Sequence, residues 1–265
     1  MKLIRYLDLI LSFLIVALIT GFILSPSLFS GLSPFVESGP HLTAPSADHI
    51  LGTDELGRDL YARIVHGAFY SISAALLAIA IGFFVGVALG TLAGSLGGWC
   101  DHITMRIVDV LLAIPSLLLS FSIITLLGVG TIPLAIAVGV SMIAGFARLS
   151  RAEMVRITSS DYVEAAYGSG GDFIHVLYRH ILPNGLPIIL GYATLQFGYA
   201  LLQIATLGFL GFGVAPPTPE WGILIAEGRN YVATAWWLTV MPGLIVIALV
   251  LASNRIGRFI SLEKG

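Results

Sequence analysis

Charge is the scarcest property of this sequence. Asp, Glu, Lys and Arg together supply 11% of the 265 residues, while 57% are hydrophobic. Soluble domains carry about 25% charged residues, so the chain cannot clothe a water-facing surface, and disorder is excluded on the same ground. Lysine occurs only at Lys2 and Lys264. A phosphate-binding G-x-x-x-x-G-K-[ST] loop needs a lysine within it, so the chain has no such loop. The single cysteine, Cys100, excludes an internal disulfide and a cysteine zinc cage. A net charge of −2 offers no field for nucleic acid. Neither H-E-x-x-H nor G-x-S-x-G is present. Gly168-Ser169-Gly170-Gly171-Asp172 is glycine-rich, but it follows no strand pattern and misses the G-x-G-x-x-G spacing.

Long apolar runs are abundant. A hydrocarbon core about 30 Å thick takes about 20 apolar residues per helix. Six stretches approach that length: Leu9–Leu24, Phe69–Gly94, Ile107–Leu127, Pro133–Leu149, Pro187–Phe209 and Trp236–Ser253. None alternates with period two, which argues against a membrane β-barrel. The expectation is an all-α integral membrane protein with six transmembrane helices. Residues 1–68 form a first helix and a long external loop, and residues 69–265 form a five-helix core with a cytoplasmic loop at 150–186. Six spans place Lys2, Arg5, Arg106, Arg148, Arg151, Arg156, Arg179, Arg255, Arg258 and Lys264 on one side, against Arg58, Arg63 and Arg229 on the other. The positive-inside rule then puts both termini in the cytoplasm. Lys2 and Arg5 ahead of an apolar run resemble a secretory leader, but no A-x-A-like site follows, so the first helix is expected to be retained.

Chemistry within the spans is sparse. Asp109 is the only acid, and it is expected to pair with Arg106, three residues back, rather than to carry protons. Gln196, Gln203 and Asn254 are read as interhelical hydrogen-bonding groups, with substrate contact as the alternative for each. Gly82, Gly86, Gly90 and Gly94 line one helix face, a pattern for close packing. His41, His49 and His66 lack a metal-ligand spacing, and no metal is expected.

The 150–186 loop is the most polar segment. Asp161 is expected to N-cap a short helix, with Glu164 three residues later as in a capping box. Ala165 and Ala166 allow close approach by a partner. Gly168, Gly170 and Gly171 then break that helix, and Pro183 is expected to stop a second short helix before the fifth span. A connector of this length reads as a docking surface or as a plain linker.

Glu164-Ala165-Ala166, then Gly170, then Leu182-Pro183 resembles the EAA loop of ABC-importer permeases. Leu51 to Asp59, Gly97 to Asp101 with Met105 to Asp109, and Phe209 to Gly213 with Pro217 to Gly222 resemble, in order, segments of the dipeptide, oligopeptide and nickel permeases. The match covers roughly residues 50–255 and is similar to the second permease subunit of that group. It implies a type I ABC importer permease (MetI-like) fold in the bacterial inner membrane. It implies a pathway shared with a homologous second permease, for peptides or nickel chelates. It also implies two ABC ATPase subunits that carry the ATP and Mg, no cofactor in this chain, and a periplasmic or lipid-anchored substrate-binding protein.

The positions matching the ATPase-coupling motif are Asp161, Glu164, Ala165, Ala166, Gly170 and Pro183. Glu220, Trp221 and Gly222, with Asp54 to Asp59, are expected to meet the binding protein or to shape their loops, and Gln196 and Gln203 to face the pathway. Gly168-Ser169 departs from the family's Ala-Leu before the turn. An ion-coupled carrier acting without an ATPase is the alternative, and it rests on Asp109 and the polar span residues alone.

Overall fold

The computed structural model describes residues 2–262, with side chains from 7 to 259. Lys264, counted above among the positive residues, lies outside them. The described chain is helical: α1 (Lys2–Leu24), α2 (Leu60–Leu96), α3 (Gly98–Ala113), α4 (Ser116–Leu127), α5 (Thr131–Thr158), α6 (Asp161–Gly168), α7 (Leu182–Phe209), α8 (Trp221–Gly228) and α9 (Trp237–Leu262). Five helical stretches are long and apolar enough to cross a membrane, and α3 with α4 makes a sixth candidate, bent by 93°.

The glycine stripe fixes the topology. A methyl group added at Gly86 would lie 2.6 Å from Ile143 O, at Gly90 2.3 Å from Ala147 O, and at Gly94 2.7 Å from Arg151 O. The partner numbers rise together, so α2 and α5 run parallel, backbone against backbone. Two parallel spans need a return crossing between them, and α3–α4 supplies it. Val108 packs with Ala144 and Ala147, while Ser120 Oγ donates to Ala137 O at 3.2 Å, so the broken pair runs antiparallel to α5. The six-span expectation therefore stands, with one correction. The third span starts at Gly98 and is interrupted at Ile114–Pro115. Proline excludes the helical region for the residue before it, and Ile114 is extended at φ −91°, ψ 126°.

α7 lies antiparallel to α5, with Gly185 under Met154 and Tyr192 against Gly145. α9 lies antiparallel to α7, with Gly198 under Val250. The bundle thus has a terminal face, holding the 150–186 segment and the ends of α2, α5 and α9. It also has an opposite, capped face, covered by residues 25–59 and by α8. The boundary expected at residue 68 falls inside α2, because Asp59 caps that helix: its carboxylate accepts from Ala62 N at 2.7 Å.

The expected stop at Pro183 is also corrected. The helix beginning at Phe173 continues into α7 through a π-helical turn, Leu177–Ile181. Widening the turn there accommodates the donor that Pro183 lacks. Asn184 Nδ2 donates to His180 O at 2.6 Å, satisfying a carbonyl beside the irregularity.

Candidate functional sites at the two faces

On the terminal face, α6 is a free-standing turn of helix held by one anchor. Val163 is fully buried in the main core, while Asp161, Tyr162, Glu164 and Ala165 are exposed and Ala166 is half-buried. The N-cap expectation is corrected by one residue. Ser160 occupies the cap position in an extended conformation, but its hydroxyl donates backward to Ile157 O, so no side chain caps α6. Asp161 and Glu164 instead sit in the first turn, where carboxylates complement the helix dipole by roughly 0.3–1 kcal/mol each.

The C-terminus is closed with care. Gly170 takes φ +90°. Gly171 N donates to Ala166 O at 3.1 Å and Gly170 N to Tyr167 O at 2.9 Å, the paired bonds of a Schellman cap. Gly168 has open space around it, and Ser169 Oγ donates to Ala165 O at 2.8 Å. The departure at 168–169 thus leaves the turn intact. Exposed Ile174, His175, Tyr178 and Arg179 extend the same surface on the following helix.

On the capped face, the Leu51 to Asp59 segment folds into a buried charge knot. Asp54 accepts from Leu56 N and Arg58 N through Oδ1. Its Oδ2 accepts from Arg58 Nε and Arg63 Nη1, both at 2.7 Å. Arg63 Nη1 also reaches Glu227 Oε2 at 2.6 Å, tying the loop and α2 to α8. His49 Nδ1 meets Asp59 Oδ2 at 2.9 Å. Every one of these side chains except Glu227 is buried.

A second knot lies deeper. Glu220 and Trp221 are 1% and 0% exposed. Glu220 accepts from Gly222 N at 2.9 Å, Ile223 N at 3.1 Å and Ser71 Oγ at 3.0 Å. Trp221 Nε1 donates to Ile64 O at 3.0 Å. A methyl group on Gly222 would lie 2.4 Å from Ala205 O, and one on Gly208 2.3 Å from Glu220 Oε2. Burial pushes the Glu220 carboxyl above its ordinary range, and the three donors pull it partly back.

Buried this way, Glu220, Trp221 and Gly222 join α2, α7 and α8 inside the subunit and present nothing to a binding protein. The same holds for Asp54, Arg58 and Asp59. Sequence reasoning missed Arg63, Ser71 and Glu227 as partners in these knots. The available signal was an arginine in the opening turns of an otherwise apolar span, which requires a buried acid.

Within the spans, Asp109 pairs with Arg148 Nη2 across α3 and α5, not with Arg106. On a helix that packs along α5, the neighbouring helix offers a nearer partner than the same face does. Gln203 is buried, with Oε1 3.5 Å from Ser141 Oγ, and Gln196 is half-buried. Asn254 packs against Gly198.

The family model for the binding-protein-dependent transport system inner membrane component matches residues 86–262, about two thirds of the chain and the whole of the α5–α6–α7 unit. The chain belongs to that family. As an inner membrane component of this kind, with transport-system permeases as relatives, it is a permease subunit of an ABC importer, not an ion-coupled carrier. It is 41% identical over 222 residues to the di/tripeptide transport system permease protein DppC of Pseudomonas aeruginosa (strain UCBPP-PA14), covering 82% of this chain and 73% of that one. It is 38% identical over 244 residues to the probable D,D-dipeptide transport system permease protein DdpC of Escherichia coli (strain K12), covering 92% and 82%. The glutathione transport system permease protein GsiD of Pectobacterium atrosepticum is 38% identical over 213 residues, covering 80% and 71%. An inward-facing MetNI methionine ABC transporter chain superposes with TM-score 0.58 at 19% identity, covering 74% of this chain and 95% of that one. That likeness establishes the fold, and it agrees with the expected MetI-like permease architecture.

Proposed function

We propose that this chain is one of two homologous permeases of an ATP-driven importer in the bacterial inner membrane, and that the cargo is a short peptide. The observation that carries the mechanism is α6: an exposed Glu164-Ala165-Ala166 helix, pinned by Val163 and closed by the Gly170 turn. Such a knob suits a groove on an ATPase subunit. Asp161, Glu164 and Ala165 would enter that groove, with Ala166 and Pro183 behind them. Two ATPases carrying ATP and Mg would move the knob on closing, and the continuous helix from Phe173 to Phe209 would pass the motion into the membrane. No cofactor is required of this chain. The peptide reading follows from the names of the relatives, which concern di- and tripeptides, D,D-dipeptides and glutathione. The nickel alternative has no such support. A binding protein would deliver cargo to the capped face, which then lies outside, with both termini in the cytoplasm.

The test is reconstitution of the whole assembly in proteoliposomes with a labelled dipeptide. Gly170→Val places a β-branched residue at φ +90°, a region such residues rarely enter. Uptake should fail while ATP hydrolysis continues. Full uptake by this variant would remove the coupling role from the turn.

A further inference from the structure

A cavity of about 270 Å³ opens where α1 leaves the bundle. Phe22 and Ile23 of α1, Phe35 of the following loop, and His66, Phe69 and Tyr70 of α2 wall it. The two helices set its level. Phe22 and Ile23 close the apolar run Leu7–Leu24, and Phe69 and Tyr70 begin the apolar run that continues to Gly94. The cavity therefore lies on the capped side, at the edge of the hydrocarbon, where aromatic side chains gather in membrane proteins. It is continuous with apolar outer surface. Phe35 and Phe69 are exposed at its rim, and so are Leu24 and Leu28 nearby and Leu76 two turns beyond Phe69.

An apolar cavity does not hold water. One of about 150 Å³ lined by Leu, Ile and Phe stays dry and takes apolar guests. The present cavity is larger, has mostly aromatic walls and opens at the level of the bilayer. The apolar guest available there is an acyl chain.

His66 adds a polar feature. Its Nδ1 lies 2.9 Å from Ala62 O in the preceding turn. A carbonyl only accepts, so Nδ1 carries the proton and the neutral ring leaves Nε2 as an acceptor. Nε2 has no hydrogen-bond partner among the described residues. His66 stands about one turn, roughly 5 Å, outward of Phe69 and Tyr70, at headgroup height over a chain seated among the rings. A half-buried acceptor there selects a headgroup with N–H donors. An ammonium also gains from the faces of aromatic rings, and Phe35, Phe69 and Tyr70 share the cavity with His66.

We propose that the cavity holds one phospholipid of the leaflet at the capped face. An acyl chain lies among Phe22, Ile23 and Phe69, and a primary-ammonium headgroup, as in phosphatidylethanolamine, donates to His66 Nε2. The lipid fills the gap between α1 and α2 beside the Phe22–Tyr61 ring contact at 6.3 Å. The inference rests on the membrane topology and is independent of the cargo.

The test uses the complete assembly, washed free of loose lipid in a maltoside detergent. It is incubated with dioleoyl phosphatidylethanolamine or dioleoyl phosphatidylcholine in mixed micelles and washed again, and native mass spectrometry counts the lipids retained. The parent should keep one phosphatidylethanolamine that two variants lose: Ile23→Trp, which fills the cavity, and Phe35→Lys, which puts a charge at its rim. Phe35 is exposed, so its replacement leaves the core intact. Leu28→Ala, outside the lining, should keep the parent's count. Phosphatidylcholine has no N–H to donate and should be retained less by the parent, and His66→Phe should erase that preference. Equal counts in the parent, Ile23→Trp and Phe35→Lys would overturn the site. Equal retention of the two lipids by the parent would overturn the headgroup assignment. A parent that retains no lipid would give the cavity to another subunit or to detergent, and would overturn the proposal as a whole.

Discussion

Gly90→Ala, set against Gly243→Ala, tests the parallel α2–α5 contact. At Gly90 the new methyl group would meet Ala147 O at 2.3 Å, Ser150 Cβ at 2.7 Å and Arg151 N at 2.8 Å. Two of the three are backbone atoms, so no side chain can rotate away. Ordinary contact needs 3.4 Å or more, so α2 and α5 must separate by about 1 Å or shift register over several turns, and overpacking of this kind costs about 1–3 kcal/mol. Opposing it, alanine is the better helix former by about 0.8–1 kcal/mol. Gly243 has no atom within 4 Å of the added carbon, so only the propensity term acts there and the variant should gain. The two substitutions therefore differ in sign. Unfolding in mixed micelles by SDS titration, followed by far-ultraviolet circular dichroism, reads both. Gly90→Ala at least as stable as Gly243→Ala would refute the backbone-to-backbone packing and the topology built on it.

Other perturbations read the remaining features. Asp54→Ala strips two arginines of their shared carboxylate in a buried site, and breaking such a network costs about 3–5 kcal/mol; a loss of folded protein in a detergent thermal-shift assay checks it. Because the folded Glu220 carboxyl is raised by burial, the folded state holds its proton more tightly than the unfolded chain. Stability should therefore fall as pH rises from the unfolded value of about 4.3 through the raised folded value, and Glu220→Gln should flatten that dependence in pH-stepped thermal unfolding. Gly168→Ala, in open space on a helix, should leave uptake at the parent rate in the same proteoliposomes that Gly170→Val disables.

The spans, their number and the Gly170 turn were legible because each rests on one residue class: apolar length, or a glycine where only glycine fits. The broken third span was half legible. Pro115 was visible, but hydropathy averages over it, and no local pattern shows that the chain bends there by 93°. The capped face was legible only as two alternatives, because the signature segments Leu51 to Asp59 and Pro217 to Gly222 are polar and lie between spans, which leaves an exposed reading open beside a loop-shaping one. Their polarity is turned inward. Asp54 finds Arg63, and Glu220 finds Ser71, and those partners stand in a span whose apolar run hides them. The Asp109 pairing failed for a related reason: spacing along one helix proposes Arg106, while the partner comes from a helix that sequence order alone does not place.

The parallel pairing of α2 with α5 also constrains the order of assembly. Two consecutive spans can close as a hairpin while they enter the bilayer, but these two cannot meet until the chain between them has gone across and come back. Until then the stripe from Gly82 to Gly94 stands open to lipid, its backbone shielded by nothing larger than hydrogen. Membrane insertion of this subunit thus has an obligatory late step. A lesion in α3 or α4 should leave the earlier helices inserted but unmated, exposed to membrane proteases for as long as the return crossing is delayed.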